Sequence, residues 1–437
     1  MMKSDSNKTV SEIMQSYCVM VNGGSGVLVN AMTQEFSYVL TARHAVFEDA
    51  ARNVVVDHNQ NSIEVLGVLV FPKVGQQESL DCAVLKITHQ ADLSQKSWSA
   101  AHLPLQANLT FVGLPKAERA SATPIKHRTG HAASVVNDLI TLELAGIPSK
   151  DIIQGMSGGG VYHIDNDYPY LVGVEFEMEA SCLDHQYGRV DCHGLARYTE
   201  LLTLHSSAPM IPPHMECFSR VRDRIFAFNV IDPSNVQHLK TALIGFADSL
   251  IESGMPPPYE IMKHYDVQLL IDTGQSSVLE ARELWIAYLE FVVISALMDG
   301  AGIADNGYIS RIDKKRRLLY TSDVTNWLGR LDEILKIARK LLDKNGTLVV
   351  ASPDAAAQPF PPDFVLENVI SNIATVPNQG PFSIDEVESA VYNSYKLTHL
   401  EGLRKSCVIE KEFDYRSLAP GKVQLLELRK KLNEIIN

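Results

Sequence analysis

The sequence predicts a multidomain chain, all-β in its first half and mainly α-helical in its second. Three observations carry this reading. Before about residue 205, short β-branched apolar runs are separated by Gly, Asn, Asp and Pro. Beyond Pro212-Pro213 the apolar residues fall instead at three- and four-residue steps, the period of a helix face. With 437 residues, 46% of them hydrophobic, each half is long and apolar enough to bury its own core. Residues 1–205 are expected to form one domain and 206–437 another, with a sub-boundary near 351–362 where prolines cluster.

The runs can be taken in chain order. Gly26–Val29, Tyr38–Thr41, Ser62–Phe71, Ala83–Ile87 and Leu139–Leu144 read as strands of an all-β barrel or sandwich. Helix faces appear in Val236–Ser253, Ser277–Ala301, Asp323–Lys344, Ile384–His399 and Val423–Ile436. In Asp323–Lys344 the residues Val324, Trp327, Leu328, Leu331, Leu335, Ala338 and Leu342 share one face. Leu284–Ile294 is too apolar for an exposed helix and is expected to be the centre of the second core. The longer apolar stretch Leu284–Met298 is interrupted by Glu290 and too short to span a bilayer, so no membrane association is expected.

Charge and cysteines narrow the function. A net charge of −13 repels phosphate backbones, so nucleic acid is not expected as a direct partner. The 6 cysteines are scattered along the chain, and Met1–Val10 is polar without a secretory signal, which together suit a reducing cytoplasm. No Gly-rich loop followed by Lys and Ser/Thr is present to cradle a nucleotide phosphate, and no cofactor is expected.

Three short segments in the β-rich half belong together. Thr41-Ala42-Arg43-His44 places a histidine directly after a strand. Asp81-Cys82-Ala83-Val84-Leu85 opens another strand with an acid. Gly155-Met156-Ser157-Gly158-Gly159 sets a serine in a glycine turn that runs into a strand. A serine hydroxyl is a weak nucleophile until an imidazole takes its proton, and the imidazole needs a carboxylate to hold its tautomer. The oxyanion formed on attack needs backbone N–H groups aimed into a small space, and glycine permits the dihedrals that aim them. Gly155 and Ser157 are the natural donors.

This constellation resembles the trypsin/chymotrypsin-like serine proteases, especially the compact bacterial kind, over about residues 14–205. The signatures Thr-Ala-x-His, Asp-x-Ala-hydrophobic-Leu and Gly-x-Ser-Gly-Gly occur in the family's order, with separations that suit a small double β-barrel. The resemblance implies His44 as general base, Asp81 as its orienting acid and Ser157 as nucleophile. Met156 stands where animal trypsins carry the acid that receives a new N-terminus, so activation by N-terminal cleavage is not expected. Asp151 stands where the family places the floor of its primary pocket, which implies cleavage after Arg or Lys. Gln154 and the strand through Val174 and Glu175 are the expected substrate-binding wall, with Glu175 and Glu177 reinforcing a basic preference.

Two other clusters invite function. Cys182, His185, Cys192 and His193 lie close together, but their spacing is not a usual zinc set, and no metal is expected. Lys314-Lys315-Arg316-Arg317 reads as a solvated or partner-facing surface, with Arg316 and Arg317 suited to docking. An endopeptidase free in the cytoplasm must be controlled, and the helical half is expected to be a regulatory, partner-binding module. The architecture resembles protease effector subunits of bacterial defence systems of the ABC-ATPase three-component kind, which implies an ATPase-containing complex as partner beside the protein substrate. The alternative is a non-catalytic protease-fold adaptor that binds peptides and assembles a complex.

Overall fold

The computed structural model describes residues 8–436 except 73–79, 92, 94, 105, 149, 179–187, 323–329, 331–333, 335, 336, 338–340, 344 and 354–395. The chain forms two compact units, Met1–Pro213 and His214–Asn437. The first continues past residue 205 because the segment after its last helix returns to the sheet: Ala31 bridges Met210 and the Tyr38 hydroxyl donates to the Ala208 carbonyl.

The first unit is built from two seven-stranded sheets. One contains β1 (Cys18–Val21), β2 (Gly24–Val29), β3 (Phe36–Thr41), β4 (Val55–Val56), β5 (Ser62–Ile63), β6 (Val65–Val70) and β7 (Ala83–Thr88), in the order β5-β4-β1-β2-β3-β7-β6. Val19, Leu28, Val39, Val55, Ile63 and Leu85 meet in one core, so this sheet curls around its own apolar face. The other contains β8 (Lys96–Ser97), β9 (Asn108–Gly113), β10 (Lys126–Val136), β11 (Leu139–Leu144), β12 (Gly160–Asp165), β13 (Tyr168–Met178) and β14 (Arg189–Gly194). Because β12 pairs with both β9 and β13, this sheet closes into a barrel around Phe111, Ile140, Leu142, Val161 and Val172.

A third core joins the two sheets. Val27, Tyr38 and Leu40 from the first pack with Val112, Tyr162 and Val174 from the second. Helices α1 (Val10–Tyr17) and α3 (Leu195–Leu204) cover it through Ile13, Tyr17, Tyr198 and Leu201; a single helical turn, α2 (Lys150–Ile153), lies between them in sequence. Thr9 and Glu12 form a reciprocal cap at the start of α1. The double barrel implied by the family resemblance is the architecture of this unit.

The second unit is mainly helical but not wholly so. Its described elements include α4 (Gln237–Glu252), α5 (Arg282–Asp299), α6 (Asn306–Lys315), α7 (Leu400–Cys407) and α8 (Lys422–Ile436). Between them runs a parallel sheet in the order β15 (Arg316–Tyr320), β16 (Thr347–Ala351) and β17 (Lys396–His399), which the helical period does not announce. The last residues of the expected helix Ile384–His399 are therefore strand β17, and the rest of it lies outside the described residues, as does most of Asp323–Lys344. Helix α5 is the expected apolar centre, buried at every position from Leu284 to Met298 except Ile286. The one acid in that buried stretch, Glu290, accepts from the Phe226 amide at 2.6 Å and pairs with Arg404 at 3.5 Å through Oε1.

Arg316 and Arg317 are not the docking surface that their charge suggests. Both lie in β15 with relative exposures of 7% and 2%. Arg316 pairs with Asp299 at 2.5 Å, and Arg317 pairs with Asp313 and sits over the Tyr265 ring. Asp299, at the end of α5, and Asp313, one turn before Arg317, neutralise the two buried heads. Among the described residues, no helix is long and apolar enough to cross a membrane.

Candidate active site

Strand register brings His44 and Asp81 together. β3 and β7 are antiparallel neighbours with Thr41 opposite Ala83, so the segment leaving β3 meets the segment entering β7. His44 sits in the single 3-10 turn Arg43–Ala45, and Asp81 lies two residues before β7. Asp81 accepts from the His44 amide through Oδ1 at 3.0 Å, and its Oδ2 lies 2.7 Å from the ring Nδ1. One carboxylate therefore fixes both the backbone and the ring of the histidine. Asn22 supports the turn from below, donating to the Ala45 carbonyl at 2.7 Å.

The pair is electrostatically matched. The hydrogen bond to Asp81 raises the pKa of His44 against the opposing effect of burial, and the charges of Asp81, Glu175 and Glu177 add to the rise. Burial pushes Asp81 upward, but its bonds to the His44 ring and amide outweigh this and leave its pKa lowered. The imidazolium form is thus stabilised, as the general base of an acyl transfer requires. The pH dependence follows. A base must be unprotonated to act, so kcat/KM for a substrate with an uncharged side chain should rise through a pKa above the ordinary 6.5 of histidine. A pH–rate profile on such a peptide checks it; a limb at or below that value would contradict the pairing.

The glycine turn carries Ser157, the expected nucleophile. It is anchored to the first sheet, where the Ser25 amide donates to the Ser157 carbonyl at 2.8 Å, and to the barrel, where the Gly158 amide donates to the Glu175 carbonyl at 2.8 Å. Gly155 and Gly158 have φ of +89° and +90°. A Cβ on Gly158 would stand 2.0 Å from the Ser25 carbonyl oxygen, so only glycine fits. Gly158→Ala is expected to cost roughly 2–4 kcal/mol of stability, from backbone strain plus overpacking. A denaturant midpoint unchanged from the parent protein would refute this.

Gly155 and Ser157 are the expected oxyanion donors. Among the described residues, the amides of Gly155 and Ser157 find no internal acceptor. The Gly155 carbonyl is held on its other side by the Ser25 hydroxyl at 3.0 Å and by Arg119 at 3.4 Å, while Arg119 also reaches the Gly23 carbonyl at 2.7 Å. Sequence motifs do not single out Ser25 or Arg119, because their role depends on contacts with a loop far along the chain. Met156 is fully buried in the barrel core, consistent with a turn held by packing rather than by an ion pair.

His44, Gly155 and Ser157 line one cavity of about 430 Å³, together with Asn22, Gly23, Gly24, Phe47, Ile153, Gln154 and Glu175. The expected site residues separate at this point. Gln154 and Glu175 are in the cavity wall. Asp151 is exposed on α2 and absent from that wall, so it does not form the pocket floor that its spacing suggests. Val174 is fully buried in the core between the sheets, which leaves its side chain out of reach of a substrate. Burial pushes the Glu175 carboxyl up to about 8. Cys192 and His193 are buried in β14, with His193 stacked on Phe176 at 4.0 Å; Cys182 and His185 lie outside the described residues. Among the described residues, no cluster of His, Cys, Asp and Glu is arranged to hold a metal ion.

Residues 192–409 match the family model of C-terminal domain 4 of the ABC-three component (ABC-3C) systems, a span that begins inside β14. Among solved structures, the chain is similar to a kallikrein-related peptidase 10 complex with Zn2+. The identity is 15% and the TM-score 0.33, over 45% of this chain and 98% of that one. It is also similar to the HtrA-type protease AlgW with decapeptide, at 18% identity and a TM-score of 0.31, over 41% of this chain and 50% of that one. No curated protein matches it.

Proposed function

We propose that the chain is a cytoplasmic serine endopeptidase in which His44, Asp81 and Ser157 act as base, orienting acid and nucleophile. The observation that carries this reading is the two-point bond from Asp81 to the His44 amide and ring, beside a cavity that His44 shares with Ser157. In the reaction, Ser157 Oγ attacks the peptide carbonyl while His44 takes its proton. The amides of Gly155 and Ser157 meet the oxyanion, and His44 returns the proton to the leaving amine. Water then releases the acyl group by the same steps.

The second half acts as the regulatory and partner-binding module. The match over residues 192–409 supports its assembly into a multi-component system, in keeping with a bacterial defence effector whose partner complex contains an ATPase. The partner must favour the active state over the resting one, or it can shift nothing. Fluorophosphonate labelling of the full chain tests the chemistry, since the probe reacts with an activated serine. Labelling that is blocked by Ser157→Ala supports the endopeptidase. A chain that never labels, alone or with the products of neighbouring genes, would favour a peptide-binding adaptor.

A further inference from the structure

Glu175 is an unusual residue to find behind a nucleophile. It is 2% exposed, and its backbone is tied to the nucleophile turn on both sides: its amide donates to the Gly159 carbonyl and its carbonyl accepts from the Gly158 amide. Its carboxyl lies in the cavity wall beside His44, Gly155 and Ser157. Oε2 is buried with no hydrogen-bond partner, and no cation of the described residues pairs with the group. A buried carboxylate without a cation is costly, which is why such groups are normally paired.

Glu175 is the last residue of β13 in regular register before a bulge, with Gly173, Val174 and Glu175 opposite Gly194, His193 and Cys192. β13 pairs with β14 with Glu175 opposite Cys192 and Glu177 opposite Asp191, so Phe176 is an extra residue in a bulge. The bulge lets Phe176 stack on His193 while Glu175 stays turned in and Glu177 is exposed. Asp151, the other acid near the turn, is exposed and outside the cavity wall.

We propose that Glu175 is the specificity-determining residue of this cavity, selecting substrates with an arginine or lysine side chain on the acyl side of the scissile bond. This rests on the endopeptidase reading for its consequence, but the cation site itself can be tested without turnover. A guanidinium or ammonium entering the cavity supplies the charge that the carboxyl lacks and occupies Oε2. An apolar side chain leaves that oxygen buried and unsatisfied, which is how a polar site rejects such an analogue. The groups facing Glu175 agree with an empty cation site. The acids Asp81 and Glu177 raise its pKa further, His44 lowers it, and Cys192 and Tyr198 beneath it are buried and un-ionised.

The experiment titrates p-aminobenzamidine, a fluorescent amidinium probe, into the full-length protein and its variants. Wild type is expected to bind it. Glu175→Gln should weaken binding at least thirtyfold, Asp151→Asn should leave it unchanged, and Ser157→Ala should retain it although fluorophosphonate labelling is lost. A fluorogenic peptide library should then show Arg and Lys preferred, with kcat/KM for them at least a hundredfold lower in Glu175→Gln. If Glu175→Gln does not fold, Glu175→Asp, which keeps the charge but sets it back one methylene, should bind more weakly while keeping the basic preference. Equal binding to wild type and Glu175→Gln, no binding to wild type, or a library preference for apolar residues would overturn the proposal. Amidine binding without any labelling would instead retain the cation site and remove the endopeptidase reading.

Discussion

Full-length Ser157→Ala is expected to lose peptide hydrolysis by a factor on the order of 10⁵ or more, and to lose all fluorophosphonate labelling, with its fold unchanged. The substitution deletes one oxygen from a half-exposed side chain, while the turn that presents it is held through backbone atoms. Those contacts are the Ser157 carbonyl with the Ser25 amide and the Gly158 amide with the Glu175 carbonyl, and alanine keeps both. His44→Ala should be nearly as severe, and the double variant hardly worse than either single one, because base and nucleophile act on one proton. What remains should reflect the oxyanion donors alone. A purified Ser157→Ala protein that cleaves peptides at the parental rate would remove Ser157 from the mechanism.

Asp81→Asn should cost on the order of 10⁴-fold in kcat while leaving the cavity in place. The reason lies in the two-point contact. The His44 amide donates to Oδ1, so an asparagine must turn its carbonyl oxygen to that amide. Its NH2 group then occupies the place of Oδ2, facing Nδ1 across 2.7 Å in the parent. Nδ1 becomes an acceptor, the ring proton moves to Nε2, and the nitrogen that should receive the serine proton already carries one. The measurement is kcat on a peptide ester or amide, paired with the midpoint of thermal unfolding. A loss of less than tenfold at an unchanged midpoint would show that Asp81 does not set the tautomer.

The three candidate residues stood out in the sequence because their signals are local. A histidine follows a β-branched run, an acid precedes another, and a serine lies among glycines that only a strained turn requires. The apolar centre of the second half was legible for a similar reason. Leu284–Met298 carries apolar residues on all sides of a helix, and a helix of that kind has nowhere to go but inside.

Other features needed the tertiary structure. Asp151 stands at a spacing that suggests a pocket floor, yet α2 turns it to solvent, while Glu175 lies in the cavity wall. Arg316 and Arg317 look like a surface charge run, yet they enter a parallel strand whose neighbours β16 and β17 come from distant parts of the chain. Closure of the barrel depends in the same way on β12 pairing with both β9 and β13. The sequence alone singled out the candidate residues for the chemistry and the segments that must be buried, since backbone propensity and apolar period act over a few neighbours. Only the tertiary structure decided which acid lines the cavity and which charges are covered, because a side chain's environment is set by strand register and by elements that arrive from far along the chain.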